Sequence, residues 1–235
     1  KIRPREIRCV GITNQRETII PVNKHGEALR NAISWRDTRT KREVDEIKQT
    51  MGVKEIYDIT GLRPDCYFSA VKEAWVKRNE PKIYDSVHKW LLVGDWIVLK
   101  LTGNFTTDWS NASRTMLFDI GKREWSKKLL DYFGFEIDQM PPTTAPGTVV
   151  GEVTDEAAEK TGLASSIPVA LCGGDAQCSA IGVGACEPKR IQINTGTATC
   201  SEVFAETALF DPEMTLMVSC HAIPGKYTIE ALTKS

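Results

Sequence analysis

The residues best suited to chemistry lie in Gly173-Gly174-Asp175-Ala176-Gln177, where an apolar run, 167–172, meets a run of small residues, 176–184. A strand passing directly into a helix would set the Asp175 carboxylate at the C-terminal edge of a sheet, where open α/β proteins bind ligands. The helix N-terminus beside it favours anions, phosphate above all. A carboxylate there can act as general base toward a hydroxyl; the plain alternative is that Asp175 only caps the helix. A second stretch, Asn194-Thr195-Gly196-Thr197-Ala198-Thr199, puts small residues and hydroxyls between two predicted strands. Such a turn lets backbone N–H groups approach phosphate oxygens, or it is a simple hairpin turn.

Two further stretches suit a ligand rich in hydroxyls. Asn14-Gln15-Arg16-Glu17 follows an apolar run, 7–13, and sets four polar side chains at a strand exit. Arg offers a fork of donors and Glu offers acceptors, which matches a polyol; an exposed ion pair is the alternative. In Ile33-Ser34-Trp35-Arg36-Asp37-Thr38-Arg39, a Trp among polar residues can lay its face on sugar C–H groups, or pack in the core like the other Trp residues. Tyr67-Phe68-Ser69, just before a predicted helix, offers the same choice for Tyr67.

The elements that must carry these groups alternate. Strands are predicted over 7–13 and 18–22, with a turn at Asn23-Lys24-His25-Gly26. Val44, Ile47 and Met51 recur at helical spacing over 40–51, which Gly52 stops. Helices are predicted over 69–79, ended by Pro81, and over 87–101, where the chain is apolar on most sides. Shorter helices are predicted over 126–133 and over 154–161, where Thr154 is the expected N-cap and Asp155 and Glu156 suit the dipole. Strands then cover 167–172, 191–195, 199–204, 216–220 and 227–231, with a small-residue helix over 176–184. This alternation is an α/β pattern, and its last part is richer in strands.

Composition excludes several classes. The 235 residues carry 30 basic and 31 acidic side chains, so the net charge of −1 gives no basic excess for binding nucleic acid. The most apolar stretch, 90–101, is interrupted by Gly94, Asp95 and Lys100 and falls short of a bilayer span. No hydrophobic signal region follows the basic start, so a cytoplasmic protein is expected. The 7 Cys form no CxxC pair and the 3 His show no ligand spacing, so free thiols and no metal site are expected.

Taken together and in order, these stretches resemble the FGGY carbohydrate kinase family, with its glycerol kinases nearest. The resemblance rests on Gly11 through Thr18, Trp35 through Thr40, Thr60-Gly61-Leu62 and Tyr67-Phe68-Ser69. It continues through Gly94-Asp95-Trp96, Leu101-Thr102-Gly103, Thr107-Asp108, Ser110 through Phe118, Gly174-Asp175 and Gly196-Thr197. It implies a ribonuclease-H-like fold of the actin and sugar-kinase superfamily, incomplete at its N-terminus. Residues 1–187 would be a partial substrate-binding domain and 188–235 the beginning of a similar ATP-binding domain. The stretch 108–118 is expected to position and pack.

The resemblance implies transfer of the γ-phosphoryl group of ATP, with Mg²⁺, to a primary hydroxyl. Asp175 resembles the general base. Arg16, Glu17 and Tyr67 resemble the residues that hydrogen-bond a polyol, Trp35 the one that lies on its carbon chain, and Gly196 and Thr197 the loop facing the β- and γ-phosphates. The expected partner is a small polyol or sugar, with no nucleic acid and no membrane; a homodimer is compatible with this. Two positions depart from the glycerol kinase pattern. Ala176 stands where Gln is usual, with Gln177 one place later, and Cys200 stands where an aromatic is usual. Both open space, so a pentulose or other sugar competes with glycerol, although the Gln-Met-His typical of xylulokinases is absent at 14–17. The Asp-x-Gly-Thr phosphate loop and the Gly-Gly adenosine motifs of the family are not in this chain. Lys1 and Ser235 therefore read as the ends of a fragment, expected to be inactive alone. A non-catalytic sugar-binding module is the rival reading. A chaperone-type ATPase of the same superfamily does not account for the hydroxyl-binding cluster.

Overall fold

The computed structural model describes residues 3–195 and 198–234. The first strand, β1 (Val10–Asn14), starts later than the apolar run that predicts it and ends on the polar Asn14; β2 (Ile19–Val22) follows. Helix α1 (Lys41–Thr50) buries Val44 and Ile47, two of the three residues its periodicity selects; the third, Met51, is the partly buried C-cap. Helix α2 (Val53–Thr60) lies in a stretch for which the sequence pattern predicts no element. It ends at Gly61, whose φ of 71° and close approach to the Val218 carbonyl leave no room for a Cβ. Helix α3 (Ser69–Asn79) is followed by the single turn α4 (Pro81–Tyr84). Pro81 thus ends one helix and begins another, since its missing N–H would have no helical partner at that position.

The single helix predicted over 87–101 is corrected. The segment is a strand, β3 (Lys89–Leu92), running straight into helix α5 (Val93–Thr102). An apolar run without a clear period fits a buried strand as well as a buried helix. Pairing decides it: β3 lies antiparallel to β2, with Leu92 opposite Ile19. Asp95 then accepts the Leu92 N–H at 2.9 Å and starts the helix.

Short pieces follow: β4 (Thr107–Asp108), α6 (Trp109–Ala112), β5 (Phe118–Asp119), β6 (Glu124–Trp125), α7 (Lys127–Phe133) and β7 (Thr143–Thr144). Strand β8 (Thr148–Glu152), also in a stretch with no predicted element, leads to α8 (Asp155–Thr161), whose predicted cap Thr154 accepts the Ala157 N–H. Strand β9 (Pro168–Gly174) passes without a break into α9 (Asp175–Gly182). The chain closes on β10 (Ile191–Thr195), β11 (Ala198–Ala205), β12 (Met217–Cys220) and β13 (Tyr227–Lys234).

Two sheets position the site. In one, ordered β1-β9-β8, β1 runs parallel to β9, so both strands deliver their C-terminal ends to the same edge. The other is antiparallel, ordered β10-β11-β13-β12. The largest apolar cluster packs α1, α2 and α3 around Ile19, Ile33, Phe68 and Trp90, while Val98, Val169 and Leu171 pack α5 on the first sheet. All seven cysteines are free, as expected. No helix among the described residues is long and apolar enough to cross a membrane.

Candidate functional site

The exits of β1 and β9 are tied together by the segment read as positioning. Asp108 accepts from the backbone and hydroxyl of Ser110 and from the Asn111 side chain. Ser110 Oγ in turn accepts the Gly174 N–H at 3.0 Å, and Asn111 exchanges amide hydrogen bonds with Asn14 at 3.1 and 3.2 Å. One buried network therefore sets residues 14–17 beside Asp175. Glu17 takes a φ of 64°, uncommon for a side chain other than Gly. Ser69 Oγ and Lys72 Nζ hold it there by donating to its carbonyl at 3.3 and 3.0 Å, and Lys72 also donates to the Tyr67 carbonyl.

A buried charge cluster fills the space below. Arg16 donates to Glu230 Oε2 at 2.9 Å and to Gln177 Oε1 at 3.2 Å. Arg114 donates to Glu17 Oε1 at 2.7 Å and lies 3.4 Å from Glu230 Oε2. Burial alone would raise the Glu230 carboxyl, but Arg114 and Arg16 hold it down at about 2. Burial raises Glu17, against the pull of the same two guanidiniums. Glu17 Oε2 has no hydrogen-bond partner among the described residues.

The aromatic residues stand at the rim. Trp35 and Tyr67 meet edge to face with centroids 5.5 Å apart, both partly exposed. Trp35 Nε1 donates to Gln15 Oε1 at 3.2 Å. Burial pushes the Tyr67 phenol up to about 12, so it keeps its proton as a donor. Asp175 opens α9 with its side chain 58% exposed, 3.8 Å from Arg16 Nε. The capping position is Gly174, so the Asp175 carboxylate is not spent as an N-cap; its Oδ1 accepts only the neighbouring Ala176 N–H.

A family model describing the N-terminal domain of the FGGY family of carbohydrate kinases matches residues 1–182. The chain belongs to this family. A glycerol kinase from Thermococcus onnurineus is 39% identical over 201 residues, 84% of this chain and 40% of the relative. A xylulose kinase from Escherichia coli is 31% identical over 230 residues, 98% of this chain and 47% of the relative. A crystal structure of Plasmodium falciparum glycerol kinase with ADP superposes with a TM-score of 0.89 at 29% identity, over 97% of this chain and 47% of that one. The chain thus spans less than half the length of these relatives. The ribonuclease-H-like fold expected of an FGGY domain is the fold observed.

Within this FGGY domain the structure brings Arg16, Glu17, Trp35, Tyr67 and Asp175 to one sheet edge. Gly196 and Thr197 lie outside the described residues. Gln177 turns inward: it is buried, accepts from Arg16 and donates to Ser219 Oγ at 3.4 Å. Sequence reasoning missed Lys72, Arg114, Glu202 and Glu230. The signal for the last two was available, since each acid interrupts an otherwise apolar or small strand pattern.

Proposed function

We propose that the protein containing this chain phosphorylates a hydroxyl of a small polyol or sugar at the expense of ATP. The observation that carries this reading is the convergence of an exposed carboxylate, Asp175, with the Arg16 fork 3.8 Å away and a Trp35–Tyr67 rim. Asp175 takes the proton as the acceptor oxygen attacks the γ-phosphorus, and the bond to the β-phosphate oxygen breaks to release ADP. Arg16 and Glu17 orient hydroxyls, and Trp35 covers the carbon chain. Phosphoryl transfer depends mostly on such positioning. In this reading residues 1–187 hold the acceptor and 188–235 begin the unit that meets ATP, with Gly196 and Thr197 facing its phosphates.

Mg²⁺ prefers oxygen ligands in octahedral geometry. The one cluster among the described residues with ligand spacing is Cys200, Glu202 and Glu230. It does not suit that ion: burial pushes the Cys200 thiol up to about 12, and Glu230 is taken by two guanidiniums. No step is assigned to a metal held there.

Measuring ADP release by the full-length protein with glycerol, erythritol, xylulose and ribulose tests the reading. Turnover with at least one acceptor is expected. Release with none of them, in a protein that still binds polyol, would support the non-catalytic module instead.

A further inference from the structure

Glu202 has no part in the roles assigned so far, yet its placement is costly. It sits on β11 directly opposite Glu230 on β13 and is 2% exposed. Neither of its carboxylate oxygens has a hydrogen-bond partner among the described residues. The nearest cation is Arg16, whose Nη1 lies 3.8 Å from Glu202 Oε1 and already donates to Glu230 and Gln177. Two carboxyls facing each other across strands destabilise a sheet when both are ionised, and a buried polar group left without a partner costs more than the bond it could make is worth. A leucine at 202 would avoid both penalties.

Its neighbours say what the carboxylate faces. The Arg16 guanidinium that approaches Glu202 with Nη1 approaches Asp175 Oδ1 with Nε, also at 3.8 Å. Glu202 and the proposed base therefore flank one fork. The Cys200 thiol lies within 4.8 Å of the Glu202 and Glu230 carboxylates, and Cys200 is a partly exposed residue beside these two buried ones. Ala176 adds only a methyl group after Asp175. A cation in this corner would meet Arg16. A hydroxyl brings a donor without charge and satisfies the free oxygens.

We propose that Glu202 is an acceptor-binding residue, taking a hydrogen bond from a hydroxyl of a polyol or ketose of four or five carbons whose reacting hydroxyl lies at Asp175. The proposal rests on the kinase reading above and narrows its substrate class. A site built to bond a buried hydroxyl discriminates strongly against an analogue that lacks it, so the three-carbon glycerol is the poorer acceptor.

The test uses the full-length protein with Glu202→Leu and Glu202→Gln, titrated calorimetrically and assayed for ADP release with glycerol, erythritol, xylitol, xylulose and ribulose. At least one longer acceptor is expected to outperform glycerol. In Glu202→Leu the ratio of its kcat/KM to that of glycerol is expected to fall about 100-fold or more. Glu202→Gln, which keeps an acceptor oxygen, should fall less, and Glu202→Leu should raise the melting temperature of the free protein. An unchanged ratio, or binding of none of the five compounds, overturns the proposal. Glu202-dependent binding of a longer acceptor without ADP release keeps the subsite and overturns the kinase reading. ADP release that prefers glycerol and ignores Glu202→Leu does the reverse.

Discussion

Glu230 accepts hydrogen bonds from both terminal nitrogens of Arg16, at 2.9 and 3.4 Å, across 214 positions of sequence. The same carboxylate neutralises Arg114, which in turn holds Glu17. The orientation of the Arg16–Glu17 pair thus depends on a residue of the other sheet. Arg16, Arg114 and Glu230 all have side chains 5% exposed or less, so water replaces none of these contacts.

Removing Glu230 would leave two buried guanidiniums short of an anion. Glu230→Ala is expected to lower the unfolding free energy by about 3–5 kcal/mol and to raise the KM for the acceptor, because Arg16 loses its anchor. Urea titration and acceptor kinetics of the full-length protein check this. A loss below about 1 kcal/mol would mean that the cluster behaves like a surface ion pair.

Asp175 is exposed and makes no fold-determining contact, so its role separates from stability. Asp175→Asn is expected to reduce phosphoryl transfer about 10²–10⁴-fold, with acceptor binding largely kept and the melting temperature little changed. Single-turnover rates alongside calorimetric titration distinguish the effects. Full retained activity would remove Asp175 as the base.

Gly174 lies where backbone meets the charge cluster. A Cβ there would stand 2.6 Å from Gln177 Oε1 and 2.7 Å from Arg16 Cδ. Gly174→Ala should therefore displace the Arg16 fork, at an overpacking cost of about 1–3 kcal/mol, and weaken acceptor binding about tenfold or more. A crystal structure of the variant with Arg16 unmoved and binding intact would contradict this.

Several buried carboxyls make stability depend on pH. Burial raises Glu73 to about 8 and Asp95 and Glu202 to about 7. Each binds its proton more tightly folded than unfolded, so its contribution is full below about pH 4 and is lost as the pH rises through 7 to 8. His221, pushed down to about 4 by burial, acts oppositely, but its effect is complete by about pH 6.5. Lys72, lowered to about 8 by burial, opposes the carboxyls only above that pH. Stability is therefore expected to fall between about pH 6.5 and 8, and Glu73→Gln should flatten the slope. Urea midpoints at the two pH values test it; equal midpoints for the unsubstituted protein would refute it.

The sequence made the strand exits legible because their chemistry is local. Asn14 through Glu17 and Gly173 through Asp175 each follow an apolar run, and the parallel pairing of β1 with β9 does the rest. Tyr67 and Trp35 were read from type alone, and their edge-to-face contact needs the fold. Arg114 was hidden inside a segment recognised by likeness, where no spacing shows that its partner is Glu17, 97 positions away. The strand at 89–92 was hidden because periodicity does not distinguish it from helix when both faces are buried.

The Arg16–Glu230 bond also bears on how the chain is made. At about 5–20 residues per second, a ribosome adds the 214 residues that separate the partners in roughly 10–40 s. Until Glu230 is added, Arg16 and Arg114 share Glu17, and Arg16 otherwise has only the more distant carboxylates of Asp175 and Glu202, each 3.8 Å away in the folded chain. The edge formed by β1 and β9 can be assembled earlier, but its two guanidiniums gain their shared carboxylate only when β13 is added.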